Sequence, residues 1–405
     1  MEASDPARIA RVSASVHALI HANMLLLPAL VPLLAARFRV EPILVDTAGT
    51  AHYLAFGFGA IPAGFLADRF GSRKILLACL AGSAVSATAC ALAPTLGVFT
   101  VALIGLGASA SLYHPAGLSL ISRSTPSGSL GRALGIHGVG GNLGEALAPA
   151  VAALLAMRFD ERAPFLAAAA FALMVMVPVA RVPSVPSPRG EAEPGGRGVL
   201  VSRTLILVLA TAVAAGFIYR GATYFLPRHL SAHVDPNRLA WLRGSASWLA
   251  SGKAGDSLGA VMTSLALLAG VISQWLGGRL ADRFQRERLY AVIAAAMFPA
   301  LLLIAVLDGL SLLMATIVFG FGWYLGQPLL SSIAAGLVPR EKHGALYGLQ
   351  FTASFGLGAL AVSACAHVST RWGTKGAFLA LAMVAVASAL LGVALVSERK
   401  RIGRT

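Results

Sequence analysis

Long apolar runs separated by short polar breaks repeat along the whole chain. A helix that crosses a membrane needs about 20 apolar residues, each rising ~1.5 Å, to cover a hydrocarbon core of ~30 Å. Runs of that kind lie at 12–36, 43–66, 74–94, 97–122, 132–157, 163–181, 204–228, 256–278, 288–307, 310–336, 343–367 and 375–397. The pattern predicts an all-α polytopic membrane protein with twelve transmembrane helices. The break at 181–203 differs from the others, with Pro183, Pro186, Pro188 and Pro194 set among Gly, Arg and Glu. Such a stretch cannot continue a helix and reads as a linker. The expected organisation is a six-helix lobe over 1–181, a cytoplasmic linker over 182–203 and a second six-helix lobe over 204–405. The other long break, 229–255, carries Trp241 and Trp248 seven residues apart, on one face if helical. Indoles favour the membrane interface, so this segment reads either as an amphipathic helix on the outer surface or as a loop packed on the bundle.

Composition agrees with lipid as the solvent. Of the 405 residues, 57% are hydrophobic and 12% charged, and soluble domains carry roughly 25% charged residues. Too little polar surface remains to coat a water-soluble globule of this size. The 43 glycines fall largely within apolar runs, where small residues let membrane helices approach closely. Cys79, Cys90 and Cys365 sit inside apolar runs without metal or disulfide spacing, and read as small packing residues.

The net charge is +15. A basic balance often signals nucleic acid, but here the Lys and Arg residues lie between hydrophobic runs, so no nucleic-acid partner is expected. With both termini on the cytoplasmic side, the inner segments hold 21 Lys and Arg and the outer loops 10, with Arg220 inside a span. That bias follows the positive-inside rule. It predicts a multi-pass protein of the inner (plasma) membrane with both ends in the cytoplasm. Met1 to Arg11 is polar and leads into a full-length span, unlike a cleavable signal peptide.

Two breaks repeat a motif. The second run ends in Gly64-Phe-Leu-Ala-Asp68-Arg69-Phe70-Gly71-Ser-Arg73-Lys74, and the eighth in Gly278-Arg-Leu-Ala-Asp282-Arg283-Phe284-Gln285-Arg-Glu-Arg288. The shared Leu-Ala-Asp-Arg-Phe stands at the inner end of the second helix of each half, the arrangement of a duplicated secondary transporter. This pattern resembles the loop signature between the second and third helices of the major facilitator superfamily, and the resemblance covers essentially the whole chain. It implies that Asp68, Arg69, Arg73, Asp282 and Arg283 gate the conformational change; the alternative is that they serve only turn geometry and topology. Gln285 departs from the pattern where the first copy has Gly71.

The fifth run, from Gly135 through Gly144 and Pro149, resembles the antiporter signature of that superfamily, with Ala148, Ala152 and Ala153 in place of glycines. Small residues there would let this helix pack on one from the other lobe and bend at the proline. The resemblance implies proton-driven export; a Gly-rich packing face without directional meaning is the other reading. Tyr113-His114-Pro115, Val139-Gly140-Gly141-Asn142 and Arg220-Gly-Ala-Thr-Tyr224-Phe-Leu-Pro227, with His17 and Pro32, resemble the fosmidomycin-resistance branch of drug-efflux proteins. His21, Ala116 and Glu145 depart from that branch, so the substrate need not be shared.

Titratable residues inside a span are functional candidates. His17 and His21 are four apart on one face of the first helix, and His114 falls at similar depth in the fourth. Histidine titrates near neutrality, so the three read as a proton relay or substrate contact, as polar packing, or as a metal site, the last disfavoured because no carboxylate or thiolate accompanies them at ligand spacing. Glu145 lies ~20 Å into its helix at 1.5 Å per residue, near mid-membrane, and is the first candidate for coupling. Arg220 requires an anionic substrate group or a protein carboxylate, and Asp46 is a cross-lobe possibility. Asn23, Tyr113, Tyr224, Trp323, Tyr324 and Gln327 complete the candidate substrate cavity, with packing as the alternative for each.

The leading expectation is a secondary transporter that exports a small organic molecule against protons by alternating access. An importer or facilitator on the same fold, and a receptor or assembly factor on a transporter scaffold, are the alternatives. The chain shows no phosphate loop, metal-ligand spacing or soluble domain, so no enzyme activity, no ATP-driven pumping and no cofactor is expected. The expected partners are the lipid bilayer, protons and a small molecule, and the expected state is a monomer.

Overall fold

The computed structural model describes residues 6–126, 130–183, 202–235, 254–337 and 343–402. The Trp241–Trp248 segment and most of the linker lie outside them. Every apolar run in the described part is helical, and the chain crosses between two faces. The face holding both ends of the described chain is called here the termini face, and the opposite one the far face.

Helices α1 (Pro6–Phe38), α2 (Pro42–Phe70) and α3 (Ser72–Leu92) alternate between the faces. Pro42 opens α2 with the fixed φ that suits a first turn. Gly71 ends it at φ +87° and ψ 144°, a region open essentially to glycine. The fourth crossing is split into α4 (Leu96–Ser111) and α5 (Tyr113–Ser124). Thr95 caps its start by accepting the Val98 N–H. Pro115 lacks the N–H that an unbroken helix would need there. The sixth and seventh segments are α6 (Leu130–Arg158) and α7 (Ala163–Ala180).

The second half opens at α8 (Arg203–His233), capped by the Ser202 hydroxyl accepting from Leu205 N–H. Next come α9 (Ala254–Arg283), α10 (Arg286–Val306) and α11 (Gly309–Ala335). The eleventh crossing begins as α12 (His343–Phe351), passes through a π turn (Thr352–Gly356) and a 3₁₀ turn (Leu357–Ala359), and continues into α13 (Leu360–Ile402). Trp372 and Gly373 break α13, Gly373 at φ +63°. Cys365 and Leu381, on either side of the break, both reach Gly221 of α8, so the segment is a helical hairpin and supplies the eleventh and twelfth crossings.

Among the described residues, ten stretches are long and apolar enough to cross a membrane, one of them spanning both arms of this hairpin. Pro42–Phe70 is not among them; Asp46, His52, Asp68 and Arg69 lower its hydropathy although it sits within the bundle.

The two halves repeat one pattern of neighbours. Helix α1 packs on α6 as α8 packs on the eleventh crossing; α2 on α4 as α9 on α11; α3 on α7 and α4 as α10 on the last arm of α13 and α11. Across the halves, α6 meets α9 and α2 meets the eleventh crossing. At the far face that seam is polar, with Thr50 bonded to Ser363 at 2.8 Å. The result is the two-bundle fold expected from the hydropathy pattern.

The fifth run packs on a helix of the other half as expected, α6 on α9, but its glycines do not make that contact. Gly140, Gly141 and Gly144 of α6 face α1 of the same half, not a helix of the other. A Cβ at Gly144 would run into the Ala18 backbone, and one at Gly141 into the His17 ring. The contact of α6 with the other half is partly apolar, Ala146 and Ala148 sharing a buried cluster with Leu267 and Tyr324, and partly polar, Asn142 to Gln274 and the Ala150 N–H to Ser264 Oγ at 2.9 Å. That last bond engages the backbone just after Pro149, one way in which a partner helix accommodates a proline within a span.

Candidate functional site

Between the halves lies a cavity of about 340 Å³, within the range of small-molecule sites. It runs from mid-bundle toward the termini face, where Leu118, Leu330, Ser331 and Gln350 line it. One wall carries His17, His21, His114, His137, Asn142 and Glu145; the other carries Tyr219, Gln274, Trp323 and Gln327. Tyr219 stacks on Trp323, with ring centroids 5.0 Å apart and planes 9° from parallel, giving an aromatic face opposite the imidazoles.

The close approach of α1 and α6 brings the titratable groups together. His21 Nδ1 lies 3.3 Å from Glu145 Oε2, and Glu145 is only 2% exposed. His17 donates its Nδ1–H to the His137 carbonyl at 2.9 Å. Tyr113 donates its hydroxyl to the Ser13 carbonyl at 2.6 Å. That hydrogen being committed, His137 Nδ1–H donates to Tyr113 Oη at 3.0 Å. The imidazoles stack or abut: His17 to His137 at 4.1 Å between centroids, to His21 at 4.5 Å and to His114 at 5.3 Å. Each of His17, His21 and His114 presents a ring nitrogen within 4.8 Å of the other two. The sequence places the three at one depth; the carboxylate that accompanies them comes from α6. His137, not singled out by sequence reasoning, is part of the cluster.

Of the remaining cavity candidates, Trp323 and Gln327 stand on the lining. Asn23, Tyr113, Arg220, Tyr224 and Tyr324 are buried in the packed bundle and are not on it. Arg220, 2% exposed, lies over the Tyr53 ring at 4.0 Å with Nε and Nη1 unpartnered. A guanidinium over a ring face gains cation–π attraction.

Asp46 is not its partner. That carboxylate forms a two-point ion pair with Arg228, at 2.9 and 3.0 Å, joining α2 of one half to α8 of the other at the far face. Arg228 gives no separate signal in the sequence, because a cation at a span end matches any interfacial anchor.

The motif residues lie at the termini face. Asp68 pairs with Arg123 of α5 at 3.3 Å, and Arg73 donates to the Val182 carbonyl at 3.2 Å. Arg69 lies over Phe70 at 5.3 Å and Arg283 is exposed. The Asp282 side chain is outside the described part. Gln285 begins α10 at φ −65° and ψ 112°, so the second copy of the turn does not need the glycine that the first requires.

Residues 14–363 match the family model for the Major Facilitator Superfamily. The uncharacterized MFS-type transporter YfnC of Bacillus subtilis (strain 168) is 23% identical over 312 residues, covering 74% of this chain and 70% of that protein. The tetracenomycin C resistance and export protein of Streptomyces glaucescens is 32% identical over 114 residues, covering 28% of this chain and 21% of the relative. Among solved structures, a D-xylose-proton symporter superposes with a TM-score of 0.77 at 14% identity, covering 95% of this chain and 96% of that one. The nucleoside transporter NupG superposes at 0.76 and 12% identity, covering 96% of this chain and all of NupG. With a duplicated helix-pairing pattern, a polar cavity between the halves and a family match over most of its length, the chain belongs to the major facilitator superfamily and is a membrane transporter rather than an enzyme.

Proposed function

We propose that the chain exports a small organic molecule across the inner membrane in exchange for protons, with both termini in the cytoplasm. The observation that carries this reading is the cavity itself: walls from both halves, described far-face links between them at Thr50–Ser363 and Asp46–Arg228, and a lining that continues to the termini face. Alternating access requires such a shape, and the Lys and Arg bias of 21 to 10 supports a cytoplasmic termini face under the positive-inside rule. In that orientation the cavity opens to the cytoplasm, a state in which an exporter can load; the direction itself rests on the antiporter-like fifth run. The export protein of Streptomyces glaucescens, similar over part of its length, supports the same direction.

Glu145 is the proposed coupling group. It is the carboxylate on the cavity wall, and its partner His21 is itself titratable. A proton arriving from the far side would be held between them and released when the termini face opens. The aromatic pair Tyr219–Trp323 and the amides of Gln274 and Gln327 suit an organic molecule with flat and polar parts. Asp68 with Arg123, and the other motif residues Arg69, Arg73, Asp282 and Arg283, would rearrange as the termini face closes.

Inverted membrane vesicles with an imposed pH gradient test this reading. Wild-type protein is expected to accumulate substrate when the gradient is present and to stop when it is collapsed. Glu145→Gln should retain exchange of substrate down its own gradient while losing the pH-driven component. Flux indifferent to the gradient in the wild type refutes antiport, and full pH-driven flux in Glu145→Gln removes that residue from coupling.

A further inference from the structure

We infer that His17, His21 and His114 form a binding site for one transition-metal dication of the zinc type in the cavity wall. Three features beyond proximity carry this. The first is ligand availability. His17 commits Nδ1–H to the His137 carbonyl, which leaves Nε2 with a free lone pair, and that atom is buried without a partner. His114 Nε2 is likewise buried and unpartnered. Buried polar atoms without partners are rare in folded proteins and call for an explanation.

The second feature is the outer layer. Metal-ligating histidines nearly always donate their other ring N–H to a carboxylate or a backbone carbonyl, which orients the ring and raises its basicity. His17 does so to the His137 carbonyl at 2.9 Å, and His21 to the Glu145 carboxylate at 3.3 Å. Ordinary polar packing does not require both arrangements at adjoining rings. The stacked His137 ring, 4.1 Å from His17, further fixes that ligand.

The third is access and fit. All three rings line the cavity, so an ion can reach them from the termini face. A nitrogen of each ring lies within 4.8 Å of the other two; tetrahedral zinc with Zn–N bonds of ~2.0–2.1 Å would draw them to about 3.4 Å. Neutral imidazoles favour zinc, copper, nickel or cobalt, whereas magnesium and calcium demand oxygen ligands.

The inference is independent of proton-driven export, since it concerns equilibrium binding. The test uses protein purified without a polyhistidine tag, stripped with chelator and titrated with zinc chloride by calorimetry. One ion per chain is expected, with no saturable site for magnesium or calcium. His17→Ala and His114→Ala should each weaken zinc binding about 100-fold or more, and Glu145→Gln about 10–100-fold. His367→Ala, an exposed histidine bonded within its own helix, should leave it unchanged. X-ray absorption on zinc-loaded wild type, which no folding defect can confuse, should show three imidazole nitrogens at ~2.0–2.1 Å. No saturable zinc site, fewer than three imidazoles at the metal, or binding that survives the paired His17→Ala and His114→Ala substitution overturns the inference. None of these outcomes bears on gradient-driven flux, and a failed flux assay leaves the zinc titration standing.

Discussion

Gly71 occupies φ +87° and ψ 144° at the turn between α2 and α3, while its counterpart Gln285 sits at φ −65° and ψ 112°. No Cβ clash would follow substitution at Gly71, since nothing lies within 4 Å of that position. The backbone angle is therefore the whole constraint. Gly71→Ala should destabilise the protein by about 1–3 kcal/mol, the strain of a side chain in that region, and Gln285→Ala should have little effect. Thermal unfolding in detergent separates the two; equal losses would show that the turn is held by something other than its glycine. At this scale the sequence is partly legible. The duplicated motif announces both turns, and the difference between Gly71 and Gln285 foretells that they are not equivalent. Arg228 is not legible, because its meaning depends on Asp46, 182 positions away. His137 hides for the same reason: its importance comes from Tyr113 and His17, both on other helices.

The helices themselves are the most legible level, since length and hydropathy fix them. Run 204–228 reads short only because α8 continues to His233 through Arg228 and His229, polar residues that are paired in the bundle. What hydropathy cannot tell is which face of a helix meets which neighbour. Helix α6 is the case in point: its glycines suggest a seam between halves, yet they let α1 of the same half approach, and that approach assembles the imidazole cluster. Gly144→Leu should therefore separate α1 from α6, since its side chain would have to displace the Ala18 backbone. Overpacking alone costs about 1–3 kcal/mol, and a backbone obstacle adds to it. Gly135→Leu, on the same helix with nothing within 4 Å, should be tolerated. Size-exclusion profiles and thermal stability compare them directly; a stable, monodisperse Gly144→Leu protein would refute the packing argument.

For the whole molecule, the described part of the far face is bridged by a polar seam that includes the two-point Asp46–Arg228 pair. Asp46 is 3% exposed and Arg228 17%, so the charges are largely withdrawn from water and linked by two hydrogen bonds. Such a pair need not favour closure over an apolar alternative of the same shape, but removing one partner leaves the other buried and uncompensated, at about 3–5 kcal/mol. Opening the far face lets Arg228 reach water, so Asp46→Asn should shift the protein toward the far-face-open state. At about 1.4 kcal/mol per tenfold, the population ratio would change a hundredfold or more. A cysteine introduced at Ser363, beside Thr50 on the same seam, reports this through its reaction with a membrane-impermeant maleimide. Cys79, Cys90 and Cys365 are buried, and replacing them with alanine removes any background. Labelling should accelerate in Asp46→Asn and return toward the wild-type rate when Asp46→Arg is combined with Arg228→Asp, which restores the attraction with the charges exchanged. If the single substitution leaves the rate unchanged, the pair is an ornament of the closed state rather than its latch, and closure must rest on the apolar contact of α2 with the eleventh crossing.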